Sequence, residues 1–302
     1  IKPAIILTTK FITPKSKRQS YSSYIKYINR KDALHETEKL PGHYSNYIDY
    51  MNDRKKGAFG FDDSNDKLDD IKTKEKGRIF DEARKDNRIL WQDVYSFDNK
   101  FLEEEGLYNP KTSELDTKTL IHSARESMKQ LKKDNRINSL IWTGSIHRNT
   151  DNIHMHIASV NMDKDIKRDS EGIQRGFRTE ETIDNMKSKF INTVVDRNKR
   201  LDIMTKRRNE LVKSNFLNEA TDKQKDQLKE IRKRLPDNKS KWQYNRKEIK
   251  QLQPLIDEYT NDYIKKYKKS TYNNYYDLLD EEMNLNKRLY GEGTQNHGRY
   301  KN

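Results

Sequence analysis

The sequence predicts an α+β fold, an antiparallel β-sheet covered by helices and followed by a mainly α-helical C-terminal region. Three observations predict it. Apolar runs rich in β-branched residues recur at Ala4–Thr13, Ile89–Phe97 and, as a close pair, Ser139–Ile146 and Ile153–Asn161. Charged segments with apolar residues at helical spacing lie between them. From about Leu201 the composition turns almost wholly charged and polar, and strand-like runs cease. The order β, α, α, β, α, β, β, α suits a sheet with helices packed over it. It places one domain over residues 1–200 and a charged helical region over 201–302.

Each element has a local reason. Ala4–Thr13 (AIILTTKFIT) is the first strand, and Pro14-Lys15-Ser16-Lys17-Arg18 a basic turn. Tyr21–Arg30 sets Tyr21, Tyr24 and Tyr27 three apart with Ile25 and Ile28 alongside, which predicts a helix. Tyr44–Asp53 is a near copy, with Tyr44, Tyr47 and Tyr50 in the same places. A tyrosine face of this kind ordinarily packs on a sheet with its hydroxyls reaching water. Gly57–Asp66 is a loop, and Lys67–Asp86 a charged helix. In the strand Ile89–Phe97, Leu90, Gln92, Val94 and Ser96 take one face and Trp91, Asp93, Tyr95 and Phe97 the other. Leu115–Asp134 is a helix capped by Asp116, with Leu120, Ala124, Met128 and Leu131 along one side. Residues 163–178 are irregular and basic, and Thr179 caps a helix over Glu180–Arg197. Beyond it, Met204–Leu235, Ser240–Gln253 and Leu255–Gly291 read as a helical arm or small helical domain broken at Leu235-Pro236-Asp237-Asn238, with a polar tail from Glu292. Nine of the chain's 17 tyrosines lie there.

Composition narrows the classes of function. Only 31% of the 302 residues are hydrophobic, 36% are charged, and the mean hydropathy is −1.23, so the core is modest. There is no cysteine, which excludes disulfides and thiolate metal sites. No apolar run approaches the ~18 residues of a membrane helix, and no signal-peptide core is visible, although the chain opens on Ile1 as a trimmed one would. A net charge of +14 favours a polyanionic partner, nucleic acid ahead of an anionic membrane surface.

The sharpest chemistry lies in Asn138–Met162, which holds three of the seven histidines. Two strand-like runs flank the polar loop Arg148-Asn149-Thr150-Asp151-Asn152, the pattern of a β-hairpin. Side chains alternate along a strand, so His154 and His156 share a face, and His147 can reach them across the loop. Three imidazoles make half of a metal's ligand shell and leave positions open for substrate. Asp151 is placed to accept the second N–H of a ligating ring. The alternative is a strand histidine pair that packs or hydrogen-bonds without metal. A divalent ion at an open site can grip a phosphate oxygen, and a tyrosine can act as nucleophile and store the broken bond as a phosphotyrosine. With a basic body, the implied reaction is transesterification of DNA.

His147-x6-His154-x-His156, with Asp151 between, resembles the three-histidine motif of the conjugative relaxases, the HUH-type DNA nickases. The particular combination resembles the MobL-like group within the MobP class of mobilisation relaxases. In such proteins a first strand precedes a helix carrying the catalytic tyrosine in a Tyr-Ile-x-Arg context, here Tyr27-Ile28-Asn29-Arg30. The segments Trp91–Asp98 and Met186-Lys187-Ser188-Lys189 are also similar to that group, and the resemblance covers about residues 3–200.

The resemblance implies an enzyme that binds the hairpin and single strand of an origin of transfer and cuts one strand. Tyr27 becomes linked to the 5′ phosphate, with Tyr24 as alternative nucleophile and Tyr47 or Tyr50 behind it. It also implies that His147, His154 and His156 hold Mn²⁺ or Mg²⁺ while Asp151 orients a ligand; by ligand chemistry Zn²⁺, Co²⁺ and Ni²⁺ stay open. Where some related enzymes place a carboxylate three residues after the first histidine, this chain has Thr150. The setting implied is the bacterial cytoplasm, with passage into the recipient and with an auxiliary DNA-binding protein and a type IV secretion coupling protein as partners. Arg148, Arg175, Phe177, Arg178 and Lys187 are the candidates for gripping single-stranded DNA, by cations on phosphates and an aromatic ring under a base. Two other readings stay open at this point: a rolling-circle replication initiator or single-strand transposase of the same plan, and a non-catalytic DNA-binding protein with a structural metal.

Overall fold

The computed structural model describes residues 2–15, 60–148, 152–212 and 220–291. Two compact units divide the chain, one of residues 1–197 with 288–293 and the other of 198–287 with 294–302. Among the described residues no helix is long and apolar enough to cross a membrane.

The first unit is built on an antiparallel sheet. Its strands are β1 (Ile5–Ile12), β2 (Gly60–Phe61), β3 (Leu90–Phe97), β6 (Leu140–His147) and β7 (His154–Asn161). They lie in the order β1-β3-β7-β6-β2. Their registers run straight across, Ile6 beside Ser96, Ser96 beside His154, and His154 beside His147. Residues directly opposite one another share a face, so this row belongs to one face of the sheet and the row Ile5–Phe97 to the other. The alternation expected of Ile89–Phe97 is therefore observed. The first face is half covered by helix α1 (Asp70–Lys85), which sets Phe80 and Ala83 against Ile12, Leu90, Ala158 and Val160. Asp69 caps α1 by accepting the Lys72 N–H at 2.8 Å, and Arg84 and Lys85 in the last turn suit its dipole.

The second face carries the larger core. It meets helices α3 (Thr117–Asp134) and α4 (Glu180–Val194). The Phe190 ring stacks on Tyr95 at 4.1 Å, and the Tyr95 hydroxyl pairs with Ser127 at 2.6 Å. Asp116 and Thr179 cap these helices as expected, accepting from Thr119 N at 3.0 Å and Thr182 N at 3.2 Å. Leu120, Ala124, Met128 and Leu131 form the buried side of α3.

Several elements differ from expectation. The loop at Gly57–Asp66 contains the two-residue strand β2, which pairs with Ser145 and Gly144 of β6. Gly144 is required there, because a Cβ would meet the Phe61 ring at 2.4 Å. Between β3 and α3 lie a short helix α2 (Asn99–Glu104) and a small hairpin of β4 (Tyr108–Asn109) and β5 (Glu114–Leu115). The helix expected over Glu180–Arg197 ends at Val194, since Asp196 turns left-handed (φ 46) and α5 (Arg197–Val212) starts afresh. Over Met204–Leu235 the described residues hold the end of α5 and α6 (Asp222–Arg234), the latter opened by a capping box of Thr221 and Gln224. Ser240–Gln253 holds a single 3₁₀ turn, Lys239–Lys241. From there α7 (Gln253–Tyr263), a π turn (Ile264–Lys268) and α8 (Lys269–Tyr290) run on without a break.

Arg178 departs most from its expected role. It is 7% exposed and pairs with Asp93 at 2.8 and 2.9 Å, over the Trp91 ring at 4.7 Å. Asp93 lies on the second face and also accepts the Thr9 hydroxyl, and Trp91 donates its indole N–H to Gly176 O at 3.0 Å. Arg178 is thus the buried anchor that ties residues 163–178 to the sheet, and it is not a DNA-facing cation. Arg178→Ala leaves the Asp93 carboxylate buried without its counter-ion, and breaking such a pair costs about 3–5 kcal/mol. Phe177→Ala, at a side chain 84% exposed, shifts stability by about 0.5 kcal/mol or less. Urea denaturation compares the two; equal midpoints would remove the anchoring role.

Candidate metal centre

The hairpin of β6 and β7 assembles the centre. His147 is the last residue of β6 and His154 the first of β7, and they are direct cross-strand partners. His156 comes next on the same face, opposite Ser145. The ring centroids stand 5.0 Å apart for His147 and His154, 4.7 Å for His147 and His156, and 4.8 Å for His154 and His156. One ligand nitrogen from each lies within 4.8 Å of the others, close to the span of two metal–nitrogen bonds of ~2.1 Å. The three rings are 2%, 8% and 1% exposed.

The tautomer at His154 is set by the backbone. Its Nδ1 lies 3.1 Å from the Asn152 carbonyl oxygen, which can only accept, so Nδ1 carries the proton. Nε2 then presents a bare lone pair, the form a metal ligand needs. Burial holds the His154 pKa below the ordinary histidine value, and the carbonyl bond opposes that only in part. Three buried imidazoles, one of them held neutral and oriented by the backbone, fit a divalent ion. At His154 the orienting acceptor is thus the Asn152 carbonyl. Asp151, expected in that role, lies outside the described residues, as do Tyr24, Tyr27, Tyr47 and Tyr50.

The expected DNA-contacting residues scatter. Arg148 is exposed and adjoins His147 at the rim of the centre. Arg175 and Phe177 are exposed, but Gly176 between them packs on Phe11 and Ile89, so this segment borders the second face, away from the histidines. Lys187 is half-buried on α4, behind the sheet, with its Nζ 5.6 Å over the Tyr290 ring. Burial lowers its pKa, and Asp184 works against that.

A different strip lies beside the centre. Ser96 and Ile6 continue the row of His154, and Val94 and Thr8 the row of His156, toward β1. Ile6 and Thr8 are exposed, so the rows of His154 and His156 end at exposed side chains on the β1 edge, while Lys10 lies one row on, opposite Gln92. Alternation along Ile5–Ile12 pairs Ile6 and Thr8 in the sequence, but only the register places them in the rows of the histidines.

Metal binding reports this arrangement directly. His154→Ala and His156→Ala each lower Mn²⁺ affinity by at least about tenfold in calorimetry, the scale on which even outer partners of ligands act. Because burial keeps His154 neutral below the usual histidine range, affinity holds as the pH falls through ~6.5 and drops only below that, where protons compete for the lone pair. A midpoint above pH 6.5 would contradict a buried, neutral His154.

Comparison with known proteins adds the family. No curated protein and no solved structure matches the chain. The family model describing MobL relaxases matches residues 2–302, which is nearly the whole chain. With that span and the histidine centre together, the chain belongs to the MobL relaxases.

Proposed function

We propose that this relaxase is a metal-dependent, site- and strand-specific DNA nickase that cuts an origin of transfer by tyrosine transesterification. The observation that carries the reading is the buried trio His147, His154 and His156 on one sheet face of a MobL relaxase. The nicking domain corresponds to residues 1–200, and the charged helical region to 201–302. His147, His154 and His156 hold the ion, Mn²⁺ or Mg²⁺ by family, while their chemistry also admits Zn²⁺, Co²⁺ and Ni²⁺. When bound, the ion neutralises charge developing on the phosphate and holds it for in-line attack.

The remaining steps belong to the chain's own groups. Tyr27 supplies the nucleophile. Its phenol oxygen bonds to phosphorus as the bond to the 3′ oxygen breaks; the phenol proton leaves and the 3′ oxygen gains one. A 5′ phosphotyrosine and a free 3′-OH result, and the reverse reaction rejoins the ends. A phenol of pKa ~10 needs nearby positive charge to favour its phenolate. Asp151 orients a ligand from the loop. Arg148, exposed next to His147, is the cation best placed for a flanking phosphate. Burial of Arg178 and the position of Lys187 behind the sheet remove them from this set. The protein acts in the bacterial cytoplasm and travels with the strand to the recipient, served by an auxiliary DNA-binding protein and the coupling protein of a type IV secretion channel.

An oligonucleotide spanning the nick site, incubated with the protein and Mn²⁺, yields a covalent adduct whose mass identifies the modified tyrosine and the attached fragment. Tyr27→Phe abolishes the adduct and leaves DNA affinity within about threefold; Tyr24→Phe keeps it. Adduct formation by Tyr27→Phe, or attachment to the 3′ side, would overturn the assignment.

A further inference from the structure

Within residues 198–287 several cations are paired in place. Arg207, Lys225 and Lys229 meet carboxylates three positions away on their own helices, at 2.9, 3.4 and 3.0 Å. Lys241 reaches Glu248 at 3.6 Å. The stretch 264–276, IKKYKKSTYNNYY, carries four lysines and no carboxylate of its own. Lys265, Lys266, Lys268 and Lys269 make no ion pair among the described residues, and Lys265, Lys266 and Lys269 are exposed. The neighbour of Lys266 is aromatic, the Tyr267 ring 5.1 Å from its Nζ.

The scaffold beneath them is ordered. The lysines lie on and just after the π turn Ile264–Lys268, which inserts an extra residue into the helix and rotates the turns beyond it. Tyrosines brace both sides of that turn. Tyr259, Tyr263 and Tyr267 sit four apart with ring centroids at 6.5 and 5.1 Å, and Tyr272 and Tyr276 pair at 4.5 Å. Like charges a turn apart destabilise an isolated helix by a few tenths of a kcal/mol per pair. A polyanion with closely spaced charges relieves that repulsion, and a single small anion relieves only part of it.

We propose that Lys265, Lys266 and Lys269 form a second nucleic-acid contact, gripping backbone phosphates apart from the histidine centre. The choice of polyanion rests on the relaxase reading, which makes DNA the substrate; the contact does not depend on the nicking step. Full-length protein is titrated with a labelled single strand and with a duplex of equal length, neither containing the nick site, across a range of salt. K265Q/K266Q/K269Q is expected to lower the slope of log K against log salt by about 2 on the single strand, at ~0.7 per phosphate contact, and to weaken binding at least about tenfold at low salt. K225Q/K229Q removes as much charge as two of those lysines from paired positions and leaves the slope unchanged. Equal loss on both substrates assigns the contact to phosphates shared by single and double strands; loss on one assigns it to that form. An unchanged slope in the triple variant, or the same loss in the control, overturns the proposal. So does unchanged DNA binding with lost binding to phosphatidylserine vesicles, which would make the patch a membrane contact. Circular dichroism confirms that each variant stays helical. Adduct formation at saturating protein stays at the unsubstituted level in the triple variant; its absence from the unsubstituted protein sinks the nickase reading alone and leaves the lysine result standing.

Discussion

Side chains on a β-strand change face at every residue, so a hairpin that slips by one position turns its whole set of side chains over. The pairing of His147 with His154 is therefore the constraint on which the centre depends. It places His156 two residues along on the same face and leaves Met155 in the core behind. What fixes the register is the burial of the opposite face. Trp142, Ile146, Met155 and Ile157 are all 5% exposed or less, and a slip would carry each of them across the sheet. The apolar core thus positions the imidazoles without touching them.

The two faces of the sheet consequently do different work. The second, against α3 and α4, holds the stacked Tyr95 and Phe190 and the buried Arg178–Asp93 pair, which fasten helix and loop. Desolvating two charges is costly, and the pair is tolerable because Thr9 and Ser159 supply further hydrogen bonds. Among the described residues α1 covers the Ile12–Val160 end of the first face. At the other end lie the buried histidines and, on the β1 edge, the exposed Ile6 and Thr8. A tightly packed layer behind the histidine face lets ligand nitrogens be held near a working geometry.

Much of this was legible in the sequence where a local rule decides. Asp116 and Thr179 were readable as caps, the alternation of Ile89–Phe97 as a strand, and His147, His154 and His156 as one cluster, because each follows from spacing along a few residues. The misses share a cause, which is information held elsewhere in the chain. Arg178 looks like any basic loop residue until Asp93, 85 positions away, is found against it. Phe61 becomes a strand residue because Gly144 leaves room for its ring. The break at Asp196 went unread because a left-handed turn there is made by aspartate and not by glycine. The capping box at Thr221 was present in the letters and was overrun by the uniform charge around it.

The bond from His154 to the Asn152 carbonyl has a further implication. Its acceptor is part of the main chain, so replacing the residue 152 side chain cannot delete it; only a change in the path of the loop can. Inserting or removing a residue between the two strands would re-aim the ring while every histidine stayed in place. For His154 the length of the turn, rather than the side chain at residue 152, guards the direction of the ring's lone pair.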